Sequence, residues 1–235
     1  MVRWEPHRVL PPTNQAEWEK EFEEYKKSPE WLLVNKDKNM DVNGFKYIFF
    51  WEWFHRIIGR SIGVIFFVPM TYFFARGYIM PKLRNTLITM FALGGLQGVI
   101  GWWMVKSGLT DKKETTELDK TPRVSPYRLT VHAGNAYLLY AACFWQTMNC
   151  VRRPQESFVT LKNISSYNFM RKRLRTITHG LLPLILVSGF FVAGISAGVS
   201  CNTYPKVGSD WFYSKKHFVS DIPFWQNMTE NKLIA

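Results

Sequence analysis

The sequence predicts an all-α polytopic membrane protein, with four transmembrane helices in a bundle and a short amphipathic helix outside the membrane. Four apolar stretches alternate with charged connectors, and each is about 20 residues long, the length that a helix needs to cross a bilayer. Because the hydropathies of the apolar stretches and of the charged connectors offset one another, the mean hydropathy of the chain is only −0.14. Aromatic residues make up 16% of the chain, which is typical of membrane helices with interfacial aromatic belts.

The net charge of +12 raises the question of a nucleic-acid partner. The positive charge, however, lies mainly in the short connectors that flank the apolar segments. This distribution is typical of a protein that is anchored in a lipid bilayer. We therefore expect membrane lipid as a partner and no nucleic acid.

Residues 1–45 are polar and form the first predicted region, an outer-side segment. Within it, Ala16–Trp31 carries Trp18, Phe22 and Tyr25 at helical spacing among mixed charges. This pattern predicts a short amphipathic helix that lies on the membrane surface or on a partner.

The second predicted region, residues 46–200, is the transmembrane bundle, and a polar outer-side tail, residues 201–235, follows it. The four predicted helices run from about Gly44 to Phe74, Asn85 to Val105, Pro126 to Cys150, and Thr176 to Val199. In three of them two glycines stand four residues apart, which allows close helix packing in lipid. These pairs are Gly59 and Gly63, Gly94 and Gly98, and Gly194 and Gly198.

The distribution of basic residues predicts the orientation of the helices. The first connector, Arg76–Arg84, has three basic residues and no acidic one, and the connector between the third and fourth helices nets +6. Basic connectors stay on the cytoplasmic or matrix side. Both termini are therefore expected on the outer side, which is the intermembrane space or the periplasm.

Ionisable residues stand at the start of the first predicted helix, in the string WEWFHRIIGR. Glu52 and His55 are three residues apart and share a helix face, beside Arg56 and Arg60. An interfacial belt explains the tryptophans and arginines of this string but not a glutamate and a histidine. Ionisable groups at membrane depth indicate a functional site.

A second histidine, His132, stands near the start of the third predicted helix, after Arg128 in SPYRLTVHAGNAY. By the predicted orientation, His55 and His132 enter the membrane from the same side. Two imidazoles at matched depth are suited to axial ligation of a haem iron. Arg56, Arg60 and Arg128 are suited to its propionates. A hydrogen-bonded histidine pair, a metal site and a proton path remain alternatives.

Several longer strings resemble haem A synthase of the mitochondrial and alphaproteobacterial type. They occur in the family's order and cover most of the chain: PPTNQAEWEKEFEEYKKSPE, WEWFHRIIGR, FALGGLQGVIGWWMVKSGL, RVSPYRLTVHAGNA and AGISAGVSCNTYPKVGSDWF. The resemblance implies an eight-helix protein of two four-helix halves, each able to hold haem through two histidines. One half oxidises the ring methyl of haem O to the formyl of haem A, and the other holds haem b.

The resemblance also implies roles for the residues singled out above. Glu52 becomes the catalytic carboxylate at the reacting methyl, and His55 and His132 become the axial ligands of the haem iron. The cofactor is then haem O or haem A, or else haem b. The expected location is the mitochondrial inner membrane or a bacterial plasma membrane, and the expected role is haem A supply for cytochrome c oxidase assembly.

The matched strings correspond to family helices two to five only. The family's first helix and both histidines of its second half have no counterpart here. We therefore expect part of a split enzyme, active as an oxidoreductase only if other polypeptides supply the missing helices. A non-catalytic accessory subunit of a respiratory complex, with or without haem, is the main alternative, and a small electron-transferring cytochrome b is a third.

Overall fold

The computed structural model describes residues 10–110, 124–151, 164–199, 203 and 206–234. These residues are helical apart from their connectors and contain no β-strand, only an isolated bridge between Val207 and Asp210. The all-α prediction is thus confirmed. The chain divides into two compact units, Met1–Val124 and Ser125–Ala235. The division into regions 1–45, 46–200 and 201–235 remains a prediction.

The predicted amphipathic helix is present as α1, Gln15–Tyr25, which is shorter than predicted. Its N-cap is Asn14, whose side chain accepts a hydrogen bond from the backbone N–H of Glu17 at 2.9 Å. The helix ends early because Pro29 disfavours a helical conformation in the residue before it. A π-helical turn, Trp31–Asn35, follows.

Helix α1 packs on the beginning of α2, Val42–Ala75. Phe22 and Tyr25 of α1 and Phe45 and Phe49 of α2 are buried together, with Trp18, Trp31 and Trp53 packed against them. We call these seven residues the outer aromatic cluster. The first turns of α2 therefore belong to a small apolar core formed with α1.

Helix α3, Pro81–Thr110, pairs with α2. The turn between them follows from Gly77, which adopts a left-handed φ of 70°. The N–H groups of Gly77 and Tyr78 donate to the carbonyls of Phe74 and Phe73, both at 3.0 Å. This is the glycine-based ending that satisfies the last carbonyls of a helix.

In the second unit, α4, Pro126–Val151, packs along α6, Leu182–Gly194. The prediction for the start of this last helix was wrong, because α5, Ile164–Thr176, runs through a π-helical turn, Ile177–Leu181, directly into α6. No proline or glycine interrupts Ile164–Thr176, so the helix continues through a basic stretch that we expected to be a connector.

Among the residues that the structure describes, three helical segments are long and apolar enough to cross a membrane: Val42–Ala75, Pro81–Lys106 and Ile164–Gly194. The protein is thus an all-α polytopic membrane protein. The predicted count was four. The remaining helix, α4, has 26 residues, but polar residues such as Arg128, Asn135 and Gln146 lower its hydropathy.

The tail contains a helix that the sequence analysis missed, α7, Phe224–Glu230. It is held by Asn227, which is only 2% exposed. The Asn227 amide accepts from the N–H of Val219 and donates to its carbonyl, both at 3.0 Å. A seven-residue helix is too short to persist alone in water, so these local bonds account for its presence.

Candidate functional site

The first predicted site residues lie on α2, just after the outer aromatic cluster. Arg56 donates from Nη2 to Oε1 of Glu52, one turn before it. The two side chains are 15% and 28% exposed. The ion pair compensates both charges at the edge of an apolar span, where an isolated charge is costly.

His55 projects from α2 beside this ion pair and is exposed. Gly59 follows one turn later on the same face, and no atom lies within 4 Å of the position that a Cβ would take there. The imidazole therefore has open space next to it along the helix. About 20 residues, or 30 Å of helix, separate His55 from the C-terminal end of α2, so the imidazole lies near the N-terminal edge of the span.

The outer aromatic cluster fixes which way this site faces. Phe45, Phe49 and Trp53 follow one another at four-residue spacing and form the face of α2 that packs against α1. His55 comes two residues after Trp53 and projects away from that face. Burial of the cluster therefore sets the rotation of α2 and the direction of the imidazole.

The other predicted site residues lie on α4. Arg128, His132 and Asn135 are spaced four and three residues apart, so they form one polar stripe. Arg128 and His132 are half-buried, and Asn135 is buried with 9% exposure. The sequence analysis did not single out Asn135, although a polar residue one turn after His132 in an apolar run was the available signal.

Contacts with α6 and the tail hold the N-terminal end of α4. The Tyr127 hydroxyl donates to Oε1 of Glu230 at 3.0 Å and lies 2.9 Å from the Thr229 hydroxyl. Its ring meets Phe191 edge-on, at 5.3 Å between centroids. We call Tyr127, Phe191, Thr229 and Glu230 the outer clamp. Because Tyr127 precedes Arg128, the clamp anchors the polar stripe at its first turn.

Close backbone packing supports the clamp. A Cβ on Gly194 of α6 would lie 3.0 Å from Cβ and 3.1 Å from Cα of Pro126. The predicted close approach of glycines is thus confirmed at Gly194. At Gly59, Gly63, Gly94, Gly98 and Gly198, no atom lies within 4 Å of the Cβ position.

His179 lies in the π-helical turn at the far end of α6 from Gly194. Its Nδ1 is 3.0 Å from the Arg175 carbonyl and 3.0 Å from the Thr178 hydroxyl. Because Gly194 packs against Pro126 at the start of α4, His179 lies near the opposite end of α4 from His132.

The donor set suits haem better than a metal ion held by protein alone. Among the described residues, no three His, Cys, Asp or Glu side chains come together as a metal site. A haem iron needs only two axial ligands from the protein, because the porphyrin supplies the other four. On α2, His55 is exposed and adjoins Arg56, and no atom outside the local helix backbone lies within 4 Å of the Cβ position of Gly59. On α4, His132 is half-buried and follows Arg128 by one turn.

The chain matches a family model along its whole length, residues 1–235. The family is COX15-CtaA, described as cytochrome oxidase assembly protein. No solved structure matches the chain.

Curated relatives match nearly the whole chain. The heme A synthase of Allorhizobium ampelinum is 40% identical over 98% of this chain and 58% of its own. Heme A synthase COX15 of Saccharomyces cerevisiae is 38% identical over 98% of this chain and 50% of its own. A heme A synthase-mitochondrial ferredoxin fusion protein of Schizosaccharomyces pombe is 38% identical over 98% and 40%. The chain thus spans about half the length of the curated relatives it matches.

Proposed function

Because this chain belongs to the COX15-CtaA family of cytochrome oxidase assembly proteins, we propose that it forms a haem-binding part of a haem A synthase. The reaction is the oxidation of the haem O ring methyl to the formyl of haem A. The observation that carries the proposal is the Glu52–His55–Arg56 group at the outer edge of α2. It combines a carboxylate, an imidazole and a guanidinium within about one turn of helix.

His55 and His132 are the proposed axial ligands. Imidazole is a common haem ligand, and a haem held in this way supplies a redox-active iron. The chain's own contribution is to present each imidazole from an anchored helix. The outer aromatic cluster holds α2, and the outer clamp with Gly194 holds α4.

Glu52 is the proposed catalytic carboxylate. Oxidation of a methyl group removes protons as well as electrons, and a positioned carboxylate accepts protons as a general base. Arg56 holds this carboxylate by a hydrogen bond from one turn further along α2. The ion pair fixes the position of the carboxylate oxygen. It also lowers the energetic cost of a charged group at membrane depth.

Arg56, Arg60 and Arg128 are the proposed partners of the haem propionates. A guanidinium has five N–H donors, and it binds carboxylates in a bidentate geometry. One guanidinium can therefore bind the Glu52 carboxylate and a propionate at the same time. All three arginines are half-buried, and Arg128 lies in the first turn of α4.

We further propose that other polypeptides pack on these helices in a mitochondrial inner membrane or a bacterial plasma membrane. Gly94 and Gly98 of α3 support this, because no atom lies within 4 Å of either Cβ position and such faces accept a second helix. An electron-transfer protein is a further partner class, since the fission yeast relative is named as a fusion with a mitochondrial ferredoxin.

A reduced-minus-oxidised absorption spectrum of the purified chain tests the ligands. We expect a bis-histidine haem signal that is lost in His55→Leu and in His132→Leu. His179→Leu is the matched control, because His179 lies at the other end of the second unit, and it should retain the signal. Retention of the unchanged spectrum in His55→Leu or His132→Leu would refute the ligand assignment.

Conversion of haem O to haem A in membranes that contain the chain tests the activity. Glu52→Gln should keep the haem spectrum and lose haem A formation, whereas Glu19→Gln, on the exposed side of α1, should affect neither. The alternative function is that of a non-catalytic subunit of a respiratory complex. Normal haem A levels in Glu52→Gln, together with loss of the complex when the chain is deleted, would establish that alternative.

A further inference from the structure

An apolar groove lies between α2 and α3 in the half of the hairpin nearer their connector. Its volume is about 480 Å³, within the range of small-molecule pockets. Its walls are formed by Phe66, Pro69 and Phe73 of α2, Tyr78 of the connector, and Leu83 and Leu87 of α3. Its lining side chains are apolar apart from the Tyr78 hydroxyl, so it suits a hydrocarbon chain.

The groove is aligned with the candidate haem ligand on the same helix face. His55, Gly59, Ile62, Phe66, Pro69 and Phe73 are spaced alternately four and three residues apart. This spacing keeps them in one stripe along α2. The stripe begins at the imidazole, passes the open position at Gly59 and enters the groove at Phe66. A molecule bound at His55 can therefore extend a chain along this face into the groove.

The distance along the helix also suits such a chain. Ten residues from His55 to Ile65, at 1.5 Å of rise each, place the start of the groove about 15 Å from the imidazole. A farnesyl chain, built from carbon–carbon bonds of about 1.5 Å, extends to on the order of 15 Å. Attached to the edge of a porphyrin ring, it reaches past the start of the groove.

We propose that this groove is the binding site for the isoprenoid tail of the haem substrate. The inference rests on the proposed function, since haem O carries a farnesyl-type tail and haem b does not. Phe66 and Phe67 stack on Phe91 of α3, with ring centroids 6.5 and 5.1 Å apart. These ring contacts hold α2 against α3 beside the groove. Burial of the tail supplies affinity for haem O that the ring alone does not give.

Haem binding by the full chain in detergent tests the proposal, with haem O and haem b as the two probes. We expect the wild-type chain to bind haem O about tenfold or more tightly than haem b, as burial of several methylene groups predicts. Leu87→Trp fills the groove and should weaken the binding of haem O without changing the binding of haem b. The affinities of this variant for the two haems should therefore be similar. The unchanged haem b affinity shows at the same time that the variant is folded.

Ile88→Trp is the matched control, because Ile88 is 49% exposed at the same depth of α3 and does not line the groove. It should preserve the preference for haem O. Ile79→Trp, in the connector at the mouth of the groove, is a second filling variant that does not alter a helix. It should reduce the preference as Leu87→Trp does.

The results separate this proposal from the function on which it rests. Equal wild-type affinities for haem O and haem b would overturn the tail site and leave the haem site standing. So would equal effects of Leu87→Trp and Ile88→Trp, since the groove would then belong to a lipid acyl chain or to a helix of another polypeptide. Failure to bind either haem would overturn both proposals.

Discussion

The two units anchor their candidate histidines by different physical means. In the first unit, α2 is held at its outer end by a cluster of aromatic side chains, among which Phe45 is 2% exposed. In the second unit, α4 is held by a hydroxyl that bonds to two tail residues and by a glycine against Pro126. Apolar burial is non-directional and large, whereas hydrogen bonds and close backbone contacts are directional and individually small.

This difference predicts how each unit responds to substitution. The anchor of the first unit depends on the volume of its buried aromatic side chains, so it weakens when one of them is truncated. The anchor of the second unit depends on close packing at one glycine and on hydrogen bonds from one hydroxyl. Enlarging the glycine or removing the hydroxyl oxygen is therefore enough to weaken this anchor. The predictions below test this contrast in order of decreasing effect.

The largest effect is expected for Phe45→Ala in the outer aromatic cluster. Phe45 lies 5.0 and 5.4 Å from the rings of Tyr25 and Phe22, so truncation leaves a cavity. We expect the free energy of unfolding, measured by denaturant titration in detergent, to fall by about 3–5 kcal/mol. Phe50→Ala, at a site that is 45% exposed, should cost about 0.5 kcal/mol or less. Similar losses in both variants would contradict the cluster as the anchor.

The next effect is expected for Gly194→Val at the contact between α6 and α4. The new side chain would meet Pro126 backbone at 3.1 Å, so the two helices must separate. The same titration should show a loss of about 1–3 kcal/mol. Gly189→Val is the control, since no atom lies within 4 Å of that Cβ position. If Gly189→Val proved as costly, helix propensity rather than packing would be the cause.

A smaller effect is expected for Tyr127→Phe, which keeps the ring on Phe191 and removes the hydroxyl bonded to Glu230 and Thr229. We expect a loss of about 0.5–1.5 kcal/mol in the free energy of unfolding. The reduced-minus-oxidised spectrum should broaden as α4 gains freedom near His132. Tyr140→Phe, at a site that is 67% exposed, should change neither measurement, and a loss as large as that of Tyr127→Phe would contradict the outer clamp.

The smallest effect concerns the pH dependence of the tail. Lys216 lies 2.6 Å from the carboxylate of Asp210 and holds the pKa of that carboxyl below its usual 3.8. Because the pKa is lower in the folded state, the pair stabilises the tail above pH 3.8. That contribution is lost as the pH falls through the lowered pKa.

An NMR titration of Asp210 in Lys216→Ala should show its pKa moving up toward 3.8. Lys215→Ala is the matched control, because within the described part of the tail it is Lys216, and not Lys215, that forms the ion pair with Asp210. Its titration should stay at the wild-type position. An unmoved pKa in Lys216→Ala would assign the lowering to Ser209 or His217 instead, which also contact this carboxylate.

Sequence alone determined the helical membrane class and the residues of the candidate site. Hydropathy over about 20 residues depends only on composition, so the spans of α2 and α3 were predicted within a few residues of their observed apolar cores. The three-residue spacing of Glu52 and His55 sets a common helix face wherever the helix lies. The amphipathic pattern of α1 was likewise predicted from the helical spacing of residues within one segment.

Tertiary structure decided the features that depend on residues far apart in the chain. The Tyr127 hydroxyl donates a hydrogen bond to Glu230, more than 100 residues later in the chain, and no local sequence pattern predicts that contact. Of the glycines at four-residue spacing, only Gly194 meets a neighbouring helix among those that the structure describes. Hydropathy and periodicity are properties of a single segment of the chain. A tertiary contact depends on the relative positions of two segments, so only the folded structure reveals it.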